Sequence, residues 1–156
     1  MVAIEYYAHG GAYYEANWSA PSDTCGTEAH ADFDGVGSFS WGYGPKGLKA
    51  QTAGECCELC RRHAKCNTWV WCGEPLCFAP DVWNHSFGEC WLKANRDPAK
   101  PLVNMRGRYT PFYRSRHRNK DVAWRAPEWV QWTSGVIKLP AGTRITNGTW
   151  SGRSIW

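Results

Sequence analysis

Hydrophobic and polar positions follow different periods along this chain. Cys56, Leu59, Cys60 and His63 recur at i, i+3, i+4 and i+7, the spacing of one helix face. Thr52 and Glu55 ahead of them have the capping-box form, with Thr52 as N-cap. Arg61 and Arg62 fall near the far end, where the helix dipole favours cations. The pattern predicts a helix over 53–63, with Cys57 about a third of a turn from Cys56 and bonding in a different direction. Asn67 to Cys72 reads as a strand with Trp69 and Trp71 on one face, because side chains alternate along a strand. Gly88 to Lys93 is a second strand carrying Trp91, and Val130 to Ile137 continues a β-rich C-terminal part. Asp34-Gly35 predicts a hairpin turn between Phe33 and the Phe39/Trp41 region, and Asn147-Gly148 a type I′ hairpin into Thr149-Trp150. Residues 1–24 carry Tyr6, Tyr7, Tyr13, Tyr14 and Trp18, with Gly10-Gly11 interrupting any helix. They read as an extended aromatic arm.

Composition sharpens this picture through the cysteines. The chain has 156 residues and 8 Cys, and every Cys lies between Cys25 and Cys90. That segment has the cysteine density of a disulfide scaffold. An even count suits an oxidising compartment. Asn17, Asn84 and Asn147 each begin an N-glycosylation sequon. Together these point to an extracellular or cell-surface glycoprotein. No apolar run is long enough for a membrane span, and Met1 to Gly10 does not read as a signal peptide. Net charge is −4 over residues 1–50, 0 over 51–100 and +8 over 101–156, a polarity that can guide docking of one end on another.

Cys56-Cys57-x-x-Cys60, Cys66-Asn67-Thr68-Trp69-Val70-Trp71-Cys72, Cys77 and Gly88-Glu89-Cys90-Trp91-Leu92-Lys93 together resemble a PAN/Apple module. The likeness is strongest to the green-algal and protist type, with a doubled cysteine on the helix. The firm match covers 53–93 and the looser one 25–137, leaving an N-terminal arm at 1–24 and a hairpin or tail at 138–156. The resemblance implies an α+β fold in which one helix packs on a twisted antiparallel sheet. It also implies Cys56–Cys90 and Cys60–Cys66 disulfides. Beside it, Cys72 and Cys77 can close their short loop, and Cys57 can reach back to Cys25. Eight cysteines allow 105 pairings, so the sequence alone leaves the set open.

The candidate chemistry is recognition. Cys57-x-x-Cys60 with His63 has zinc-ligand spacing, but no second such pair follows. No nucleophile elbow, zinc-protease helix or phosphate loop is present. The expectation is therefore a non-enzymatic chain without metal or cofactor. Trp69, Trp71 and Trp91 are assigned to the module's core. Trp124, Trp129 and Trp132 are candidate binding residues, since Trp and Arg dominate contact energy at interfaces. Arg106, Arg108, Arg114, Arg116 and Arg118 form a basic stretch that is either a solvated face or a site for an acidic partner. Sequons and cysteines argue against nucleic acid. Three functions follow. The first is an extracellular module contacting protein or glycan, as the resemblance implies. The second is a filament or surface-layer protomer that self-assembles through Tyr6, Tyr7, Tyr13 and Tyr14. The third is an accessory module of a secreted enzyme.

Overall fold

The structure is a computed structural model and describes residues 2–3, 13–36, 39–80, 84–117 and 126–151. Strands β1 (Val2–Ala3), β2 (Tyr14–Glu15), β3 (Asn17–Trp18), β4 (Glu28–Ala29) and β5 (Ala31–Phe33) precede helix α1 (Ala53–Arg62). Then come β6 (Thr68–Cys72), β7 (Leu76–Cys77), β8 (His85–Ser86), β9 (Cys90–Lys93), β10 (Leu102–Arg106) and β11 (Arg108–Tyr109). Helix α2 (Pro111–Arg116), β12 (Trp132–Val136) and β13 (Thr149–Trp150) complete the described elements.

Helix α1 forms where its caps and cysteines dictate. Thr52 Oγ1 accepts from Glu55 N at 3.1 Å, while Glu55 Oε2 accepts from Gln51 N at 2.7 Å. One N–H left open at the helix start is thereby satisfied, together with that of the residue before the cap. Cys56, Cys57 and Cys60 are its buried residues. Three disulfides leave the helix: Cys56–Cys90 ties α1 to β9, Cys60–Cys66 ties it to the approach to β6, and Cys57–Cys25 leaves on another side; a fourth, Cys72–Cys77, closes the loop between β6 and β7. Each staple of this kind typically adds about 2–4 kcal/mol.

The helix packs on an antiparallel sheet of order β4-β12-β6-β9. Trp69 is fully buried among the helix cysteines, and its indole N–H donates to Cys25 O at 3.0 Å. β12 comes close over it because residue 135 is glycine: a Cβ there would strike both the Trp69 ring and the Cys25 carbonyl. Trp71 shares that face and is half-buried. Trp91 does not. It pairs with Val70 and packs on the opposite side, in the cluster of Val70 and Trp132. That second cluster is roofed by a smaller sheet, β13-β10-β5, with Phe33, Val103 and Met105 facing inward.

Three expectations are corrected here. Asp34-Gly35 makes no hairpin: Asp34 N donates to Leu102 O and Val36 N to Ala94 O, so the chain crosses from one sheet to the edge of the other. Asn147-Gly148 makes none either. β13 instead runs parallel to β10, and Gly148 takes φ +76° where a Cβ would meet the Pro101 carbonyl. A two-stranded hairpin is marginal in water, and the open edge of β10 is a better partner. The β-rich C-terminal part also holds one short helix: Thr110 Oγ1 accepts from Tyr113 N at 3.2 Å and starts α2, with Pro111 in its first turn. Finally, Tyr13 and Tyr14 are not a free arm. They are buried at 7% and 3% exposure against Tyr109 and Tyr113, and β2 pairs with β11. Four aromatic rings bury more apolar area together than an unpartnered arm could. Tyr6 and Tyr7 lie outside the described residues.

Candidate binding surface

A loop rich in glycine runs from Trp41 to Leu48 and folds back along β9. Leu48 N donates to Trp41 O at 2.9 Å, and Cys90 N donates to Leu48 O at 3.0 Å. Lys49 Nζ closes the loop from inside through the carbonyls of Gly42 at 2.5 Å and Gly44 at 2.7 Å. The loop holds two aromatic rings outward: Trp41 is 66% exposed and Tyr43 41%. The Trp41 ring lies 5.5 Å from that of the half-buried Trp91, and Tyr43 Oη donates to Asn84 Oδ1 at 3.1 Å. The result is an aromatic face with polar atoms at its rim.

Its support is a buried carboxylate. Glu89 is fully buried, and its Oε1 accepts from His85 Nδ1 at 2.7 Å and from Trp91 Nε1 at 3.1 Å; Oε2 accepts from Ser86 N at 2.7 Å. Burial pushes the Glu89 pKa up, but the hydrogen bond from His85 and those from Ser86 and Trp91 outweigh it, holding the carboxyl below its ordinary 4.5. An ionised carboxylate only accepts, so His85 Nδ1 carries the proton. The His85 ring is wedged among Tyr43, Trp91 and Trp132 at 5.1–5.9 Å.

The residues proposed from sequence disperse. Trp132 is buried at 3% exposure and its indole donates to Phe78 O at 3.0 Å, so it belongs to the core. Trp129 is 46% exposed. Trp124 and Arg118 lie outside the described residues. Arg106 is no free cation: it is 3% exposed, grips Glu28 with two nitrogens at 2.6 and 2.8 Å, and reaches Asn147 O. Burial of a guanidinium requires such a partner. Arg108 pairs with Glu128 at 2.8 Å on the surface, Arg114 Nε donates to Ala126 O at 3.4 Å, and Arg116 lies over the Tyr13 and Phe112 rings. Asn17 and Asn84 are exposed, and Asn147 is half-buried.

Sequence reasoning gave no functional weight to Trp41 or Tyr43. The available signal was Trp41-Gly42-Tyr43-Gly44: aromatics separated by glycines suit neither strand nor helix, and are left on a loop.

Beneath α2, burial and mutual proximity lift the phenols of Tyr14, Tyr109 and Tyr113 above their ordinary 10.0. Among the described residues, no group of three His, Cys, Asp or Glu side chains is placed to hold a metal ion, and no helix is long and apolar enough to cross a membrane. With all eight cysteines in disulfides, the zinc spacing around Cys57 and Cys60 is not available to a metal.

Comparison with known proteins agrees with this anatomy. No curated protein and no solved structure matches the chain. The model of the PAN domain family does match, over the loop, helix, strands and Cys56–Cys90 staple just described. PAN domains are typically non-catalytic modules that take protein or carbohydrate ligands. Residues 42–93 of this chain are a PAN domain.

Proposed function

We propose that the protein is a non-enzymatic extracellular glycoprotein that displays Tyr43 and Trp91 of its PAN domain, with Trp41 immediately before it, to a glycan or protein ligand. The observation that carries this reading is Trp41, two-thirds exposed beside Trp91 on a face fixed from below. Exposed aromatic rings stack on sugars and anchor protein contacts. A face held by disulfides and a buried carboxylate loses little entropy on binding. The extracellular assignment rests on the four disulfides, which persist in oxidising compartments, and on the three sequons.

The test is a glycan array and an extracellular-protein binding screen with the secreted chain and Trp41→Ala. Retention of a ligand by the wild type, with at least a tenfold loss in Trp41→Ala, is the expected result. Equal retention by both proteins, or none by either, counts against the reading.

A further inference from the structure

A cleft of about 380 Å³ lies outside residues 42–93. That size is near the lower end of the roughly 300–1,000 Å³ typical of small-ligand sites. Its walls are β3 with the following residues to Asp23 on one side and β4 with His30 on the other, with Trp129 and Arg106 also lining it.

Three features give this cleft a chemistry. Trp129 is 46% exposed and its ring, inclined by 42° to that of His30 at 5.1 Å, is the flat apolar surface of the cleft. His30 takes φ +56°, a left-handed conformation uncommon outside glycine. It is held there because its Nδ1 lies 2.8 Å from Val130 O and its carbonyl accepts from Gly107 N at 2.7 Å. Such conformations cluster at functional sites, and this one fixes the His30 ring on the cleft wall. Third, the polar lining can meet hydroxyl groups. Glu28 is neutralised by Arg106, whereas Asp23 is exposed and keeps its negative charge, its Oδ1 accepting from Thr27 N at 2.9 Å. The wall left for a ligand is then amide and hydroxyl from Asn17, Ser19 and Ser22, with the Asp23 carboxylate as an acceptor for hydroxyl groups.

A neutral, hydroxyl-rich ligand with one flat apolar face matches all three. We propose that this cleft holds a pyranose sugar, stacked on Trp129. The sugar has two sources: the glycan carried by Asn17, which is exposed on the cleft wall and begins the sequon Asn17-Trp18-Ser19, or a separate oligosaccharide. The first source rests on the extracellular reading above; the second does not.

The chain is secreted from a eukaryotic host as wild type, Trp129→Ala and Asn17→Gln, and disulfide mapping of each variant confirms its fold. For the first source, endoglycosidase releases the Asn17 glycan from native wild type about tenfold more slowly than from Trp129→Ala. For the second, Asn17→Gln binds N,N′-diacetylchitobiose or cellobiose in calorimetric titration. Adding Trp129→Ala then lowers affinity tenfold or more, and Trp129→Phe restores part of it. Either result supports the proposal. It is overturned if neither disaccharide binds Asn17→Gln and the Asn17 glycan is absent or is released equally fast from both proteins. Bare Asn84 and Asn147 in the secreted chain would count against the extracellular reading, leaving the disaccharide titration to judge the cleft.

Discussion

Glu89 takes hydrogen bonds from His85, Ser86 and Trp91, so one carboxylate sets the tilt of an indole in the aromatic face. Removing it leaves three donors without their acceptor, each worth about 1–3 kcal/mol when buried. Glu89→Ala is therefore expected to cost roughly 3 kcal/mol or more in urea unfolding, and to weaken any ligand held by Trp41. The same contacts set an acid limit. Because the folded carboxyl sits below its ordinary 4.5, its stabilisation is complete above pH 4.5 and is lost as pH falls below that value. Unfolding free energies measured between pH 3 and 6 should show this slope in the wild type and a shallower one in Glu89→Gln. Little of this scale was legible beforehand. Arg106 sits in a run of cations with no acid nearby in sequence, yet its partner Glu28 is 78 residues away. Only the strand register separates Trp91 from Trp69 and Trp71.

At the scale of elements, local signals held where the element satisfies itself and failed where it depends on a distant edge. Helix α1 carries its own cap, its own dipole-matched arginines and its own buried stripe, and all three are readable from spacing. Thr52→Ala is expected to cost about 1 kcal/mol, the usual value of an N-cap, as a lowered midpoint in thermal unfolding. The two predicted hairpins had good turn residues but were overruled. β10 offers edges to β5 on one side and β13 on the other, and long-range pairing over a buried face outweighs a two-residue turn. Tyr13 and Tyr14 were likewise misplaced because their partners lie near residue 110.

For the whole molecule, the tyrosine cluster sets an alkaline limit. The phenols of Tyr14, Tyr109 and Tyr113 are raised above 10.0 in the fold, so their contribution is intact below pH 10 and declines as pH rises beyond it. Circular dichroism against pH should show loss of structure above 10, coincident with tyrosinate absorbance at 295 nm. The cluster also joins the flanks: Tyr14 stacks on Trp150 at 5.1 Å. The domain match ends at Lys93, but the sheet does not. β12 lies between β4 and β6 and pairs with all five residues of β6, and Cys57 needs Cys25. A fragment of residues 42–93 should therefore keep an unpaired thiol and an open strand edge, and should aggregate. Sedimentation of that fragment beside the full chain checks it.

The position of β12 also bears on time. A ribosome adding about 5–20 residues per second completes Cys90, the last cysteine, seconds before it reaches Trp132. Every thiol thus leaves the ribosome before β12, and in an oxidising compartment it can pair while β6 still lacks one of its two neighbours. The covalent framework can close before the sheet does, and helix α1, whose sequence is complete by then, holds one cysteine of three of the four pairs.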